Sequence, residues 1–82
     1  MSAKFSEIVR EHRRLSGLSQ AALARMAGVG KTAVFDLEHG KESVQLDTLL
    51  KILTVLNIDI RLDSPVMKKV EASLAASQES LP

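Results

Sequence analysis

The chain of 82 residues is 45% apolar and 26% charged, the proportions of one small globular domain, and so thin a core makes help from a second copy a reasonable expectation. It has no cysteine, which excludes disulfides, thiolate metal sites and cysteine nucleophiles, and its two histidines, His12 and His39, lie far apart and near no acidic cluster, against any metal site. The net charge of +1 is unevenly spread: residues 1–41 carry seven basic against four acidic side chains and residues 42–82 four against six, as suits one anionic partner and a separate second task.

Ile8, Val9, His12 and Leu15 follow a helical spacing, with Arg10, Glu11, Arg13 and Arg14 on other faces, and Gly17 stops this first helix. His12 falls on the apolar side and reads as a core residue rather than a ligand. Ser19 is placed as an N-cap ahead of the helix formers Ala21, Ala22, Leu23 and Ala24, in a second helix expected to run to about Ala27 and stop at Gly28. A third starts after Gly30, passes Val34 and Leu37 to about His39, and stops at Gly40. Leu46, Leu49, Leu50, Ile52, Leu53 and Leu56 mark a fourth, apolar on most faces and therefore expected at the centre of the core. The period then changes. Ile58, Ile60 and Leu62 alternate with Asp59, Arg61 and Asp63, which predicts a strand. Ser64 and Pro65 suit the cap and first position of a weak last helix, whose stripe of Val66, Met67, Val70 and Leu74 precedes an Ala/Ser-rich tail. The expected organisation is therefore a unit over residues 1–57, a strand over 58–63, and a weak helix and tail over 64–82.

Several function classes drop out. The apolar runs are only a few residues long and Met1 to Lys4 leads into no signal-peptide pattern, so no membrane association and a cytoplasmic location are expected. Phe5 and Phe35 are the only aromatics besides the histidines, too few faces for stacking single-stranded bases. Gly30-Lys31-Thr32 looks like the end of a phosphate-binding loop, but that motif requires glycine five residues before the Gly-Lys pair, where Arg25 stands, and a preceding strand where Ala21 to Ala27 reads as helix.

The informative stretch is Leu18 to Lys41, two short helices around the connection Gly28-Val29-Gly30. Small Ala24 and Gly28 are expected to let the helices approach, with Leu23, Val34 and Leu37 supplying their apolar contact. That is the spacing of a helix-turn-helix, whose second helix enters the DNA major groove. With the Ser19-Gln20 opening, the Ala24 and Gly28 positions and the Leu37-Glu38-x-Gly40-Lys41 close, residues 5–57 resemble the Cro/phage-repressor-like (XRE) family. The resemblance implies an all-α, lambda-repressor-like bundle of four to five helices that binds double-stranded operator DNA as a sequence-specific transcriptional repressor, with no cofactor and no enzymatic activity. It implies Ser19 and Gln20 at a phosphate, where free helix N–H groups favour anions. It also implies Lys31, Thr32 and Asp36 in the major groove, with Ala33 small enough for close approach, and Lys41 on a phosphate beyond the recognition helix. Lys31 can donate to guanine and the Thr32 methyl can pack on thymine. Asp36 departs from the pattern, since an acid repels phosphate; it would accept from cytosine or orient Lys31. Phe35 stands where a polar residue is common, and would wedge against sugar or cover a neighbouring helix. Arg13 and Glu38 match the family's paired basic and acidic positions, a structural tie between the first helix and the end of the third. Arg10 and Arg14 read as a solvated helix face, and His39, at a helix C-terminus, needs no functional role.

The segment from Leu56 to Pro65 is untypical of minimal phage repressors. A lone strand has unpaired edges and one apolar face, and the chain offers no second strand. Ile58, Ile60 and Leu62 are thus expected to form an antiparallel ribbon with a second copy, giving an obligate or near-obligate homodimer whose recognition helices address a palindromic operator. The plainer alternative is an irregular cap folded over its own core. Leu49-Leu50-Lys51-Ile52-Leu53 followed by Ile58 to Asp63 is similar to the HipB-type antitoxins, which implies repression of the chain's own operon and a HipA-like kinase toxin as partner. A stand-alone XRE-type or phage-like regulator with no toxin partner is the second reading, and a pure protein-interaction module on the same scaffold the third.

Overall fold

Five helices and no strand are found among the residues that the computed structural model describes, 2–79, with side chains over 5–78. They are α1 (Ser2–Leu15), α2 (Gln20–Ala27), α3 (Lys31–Glu38), α4 (Leu46–Val55) and α5 (Met67–Glu79). The end of the 64–82 tail, residues 80–82, lies outside the described residues. No described helix is long and apolar enough to cross a membrane.

Each of the first four helices closes on a residue in the left-handed region: Gly17, Gly28, Gly40 and Asn57. At the end of α4, the Asn57 N–H donates to the Thr54 carbonyl at 3.2 Å and the Ile58 N–H to the Leu53 carbonyl at 3.0 Å. This pair of bonds is the Schellman closure, and the apolar contact that accompanies it is made by Leu53 and Ile58, both in the core cluster. The role of Gly28 differs from the expected one. A Cβ there would meet nothing within 4 Å, so glycine is needed for its φ of +70° and not for close helix approach.

The core is drawn from α1 to α4: Val9, Leu23, Ala24, Val34, Leu37, Ile52, Leu53 and Leu56 are buried together. Two expected faces are rotated. On α1 the inward positions are Phe5, Ser6, Val9 and Arg13, while Ile8 and His12 are exposed and Leu15 is 82% exposed. The cause is Arg13, which is pulled towards buried Glu38 and turns the helix so that the row 5–9–13 faces inward. His12 is therefore no core residue; its Nδ1 lies 2.7 Å from the Ile8 carbonyl at the surface. On α4 the inward row is Leu49, Ile52, Leu53 and Leu56, and Leu46 and Leu50 face solvent, so this helix lines the core along one stripe rather than filling its centre.

Past α4 the chain leaves the core. Ile58 is half-buried and packs on its own core cluster, with its N–H spent on the α4 closure, so any ladder can begin only at Asp59. Residues 59–64 belong to no helix or strand within the single chain, and Ile60 and Leu62 are exposed, Leu62 at 77%. In α5, Val70 and Leu74 are exposed, as is Val66 just before it, and Met67 is half-buried.

Candidate nucleic-acid interface

The site begins with the buried carboxylate of Glu38, at the last residue of α3. Arg13 approaches it with both edges of its guanidinium: Nε donates to Oε2 at 2.6 Å and Nη2 to Oε1 at 3.0 Å. The remaining Nη1 donates to the Leu18 carbonyl at 2.8 Å, so one side chain ties α1 to α3 and to the loop that starts α2. The hydrogen bond to Glu38 raises the Arg13 pKa, desolvation acts in the opposite sense, and the opposite charge of Glu38 adds a further raise. Gln20 supplies a third donor, Nε2 to Oε1 at 3.2 Å, which turns its amide inward from the start of α2 and leaves its second amide N–H uncommitted to Glu38. Ser19 caps α2: its Oγ accepts from the Ala22 N–H at 3.0 Å. These contacts fix the angle between α2 and α3, with Leu23, Ala24, Val34 and Leu37 packed between them.

With Val34, Leu37 and Glu38 buried, helical geometry turns Lys31, Thr32, Phe35 and His39 outward, and all four are exposed. The Lys31 side chain makes no hydrogen bond or ion pair among the described residues, so its ammonium is available to an external acceptor. Asp36 is half-buried and its carboxylate lies 3.4 Å from Lys41 Nζ, while the Lys41 N–H donates to the Asp36 carbonyl at 3.0 Å. Of the two roles expected for Asp36, orienting Lys31 is therefore replaced by holding Lys41. Ala33 is half-buried and, with Asp36, Lys41, Ser43, Gln45 and Thr48, lines a shallow groove between α3 and the start of α4. Phe35 is not packed on the core cluster, and its ring stacks on the imidazole of His39, centroids 3.9 Å apart. Sequence reasoning passed over His39, although its i,i+4 spacing from Phe35 was the available signal. Arg14 is paired with Glu11 at 3.2 Å on the outer face of α1, away from this set.

A capped α2, a three-residue turn and an α3 with one buried face and one outward face bearing Lys31 and Thr32 make up a helix-turn-helix by geometry. The helix-turn-helix family matches residues 9–62, from the middle of α1 to past α4. The chain belongs to the helix-turn-helix family. It is 36% identical over 63 residues to an uncharacterized HTH-type transcriptional regulator, y4mF, of Sinorhizobium fredii (strain NBRC 101917 / NGR234), which covers 77% of this chain and 83% of that protein. The crystal structure of the restriction-modification controller protein C.AhdI from Aeromonas hydrophila is similar with a TM-score of 0.64 and 38% identity, over 70% of this chain and 86% of that one. A chain of the HipA-HipB-O2-O3 complex is similar with a TM-score of 0.71 over 79% of this chain and 92% of its own, and at 22% identity this likeness is one of fold. This helix-turn-helix protein is an XRE-type DNA-binding transcriptional regulator, in a family of regulators rather than enzymes.

Proposed function

We propose that this helix-turn-helix protein acts as a homodimeric repressor of its own operon and as the HipB-like antitoxin of a HipA-like kinase toxin, in the cytoplasm. The observation that carries the reading is the division of the chain into a packed DNA-binding unit and a following segment with exposed Ile60, Leu62, Val66, Val70 and Leu74, more apolar surface than a finished monomer needs. On the DNA side, α3 lies in the major groove. Lys31 donates to guanine, Thr32 packs on a thymine methyl, Ala33 permits close approach, and Asp36 accepts from cytosine. Ser19, Gln20 and Lys41 contact phosphates: the hydroxyl hydrogen of Ser19 and the second amide N–H of Gln20 are the donors left after their contacts within the chain. In the dimer, residues from Asp59 to Asp63 pair with their symmetry mates, and Ile60 and Leu62 cover the joint apolar face with Ile58 beneath them.

The test combines DNA and protein capture. A duplex from upstream of the chain's own gene should bind with steep salt dependence, and the product of a neighbouring kinase-like gene should co-purify with the chain. Ile60→Pro, which removes a ladder N–H, should give a monomer by light scattering with weakened operator binding and intact helical content. A protein that stays dimeric places the interface elsewhere. The 38% identity to C.AhdI over 70% of this chain supports a second reading, a stand-alone controller without a toxin. Operator binding with no co-purifying kinase favours that reading.

A further inference from the structure

From the stacked Phe35–His39 pair on the outer face of α3 we infer that this protein reads, besides the thymine on which Thr32 packs, the 5-methyl group of a second thymine in each operator half-site. The inference rests on the proposal that α3 occupies the major groove. Phe35 is an apolar ring left 47% exposed on a polar face, with Lys31 to one side of it and Thr32 and Asp36 to the other. One ring among polar and charged neighbours is too small a patch for protein docking, and it plays no part in the core. Its position is nevertheless fixed. The His39 imidazole stacks against it with 22° between the planes, and His39 Nδ1 donates to the Phe35 carbonyl at 2.7 Å, closing the turn that holds both rings. A ring already held in place loses little freedom on binding, so its contact is effective for affinity.

The major groove offers one apolar group to such a ring, the thymine methyl. Phe35 lies one turn beyond Lys31, about 6 Å along the helix. Bases on one strand are about 3.4 Å apart, so the methyl belongs to a base pair within two steps of the one that Lys31 reads.

The experiment selects the preferred operator from a random duplex pool and then replaces each thymine by deoxyuracil, which removes only the methyl. Affinities come from titration of labelled duplex. Apart from the thymine whose methyl effect disappears in a Thr32→Ala variant, one thymine per half-site should lose about fourfold on replacement, the value of burying one methyl-sized group, within two base pairs of the position where Lys31→Ala relaxes preference. At that second position Phe35→Ala should bind the thymine and uracil duplexes equally, Phe35→Leu should keep part of the difference, and His39→Ala should reduce it. Since Phe35 is outside the core, circular dichroism of these variants should match the parent. A parent protein with no methyl effect beyond the one that Thr32→Ala abolishes, or a Phe35→Ala variant that keeps the difference at the second position, overturns the inference and leaves the DNA-binding proposal standing. Failure to enrich any duplex overturns both.

Discussion

Glu38 gathers three donor groups from two other segments onto a side chain with no solvent exposure. Removing it leaves the Arg13 guanidinium, itself only 13% exposed, without its counter-charge. Glu38→Ala should therefore cost about 3–5 kcal/mol in urea unfolding, and a paired replacement of Arg13 and Glu38 by apolar residues of similar volume should recover most of that loss. The pH dependence has a definite sign. Arg13 titrates higher in the folded chain than in the unfolded one, so its stabilisation is complete at all ordinary pH values and is lost only in strong alkali. A urea midpoint measured across neutral to moderately alkaline pH should show no loss attributable to Arg13. On the DNA side the two outward lysines should separate cleanly. Lys31→Ala should relax preference at one base position per half-site, costing about 1–3 kcal/mol. Lys41→Ala should weaken all duplexes alike and lower the salt slope by about one per subunit. Its effect is moderated because Asp36 already neutralises part of its charge.

At the scale of the elements, the left-handed closures set where each helix ends and hence the angle at which the next begins. Among the described residues, Asn57 is the one left-handed closure without glycine. Asn57→Ala should lower stability by about 1 kcal/mol while Asn57→Gly should hold or raise it, both read from thermal melts. Glycine stops at 17, 28 and 40 were legible in the sequence because glycine is the default residue there; Asn57 was not, because asparagine serves many other turns. The cap at Ser19 and the apolar contact of Leu23 with Val34 and Leu37 were equally legible, since local spacing alone dictates them. The rotated face of α1 was hidden for a different reason. An arginine directed inward violates hydrophobic periodicity, so the periodicity alone turned Arg13 outward even though the family resemblance paired it with Glu38, its partner 25 residues away. Within the site, the family resemblance implied the outward placement of Lys31 and Thr32 but did not settle that of Phe35. The Phe35–His39 stack was signalled only by its i,i+4 spacing, whereas the Asp36–Lys41 contact depends on side-chain rotamers that no sequence pattern encodes.

The molecule as a whole is less condensed than its length allows. Its radius of gyration is 16.2 Å, against about 12 Å for a compact chain of this size. The excess lies in residues 59–79, where every residue with a described side chain except Met67 is exposed. A chain ending at Ser64 should therefore melt within about 2 °C of the full chain, since it loses no core contact, and capture of a kinase partner should fall if α5 forms part of that surface. Undiminished capture would confine the partner surface to residues before 65. The separation between core and outlying segment has a consequence for how such a protein can change over time. No residue of α5 belongs to the core cluster that joins α2 and α3, so the free energies of substitutions in the two places should add. A lineage could thus exchange one binding partner for another by altering the far end of the chain alone. The operator it reads, and the thermal margin of the fold that reads it, would pass through the exchange untouched.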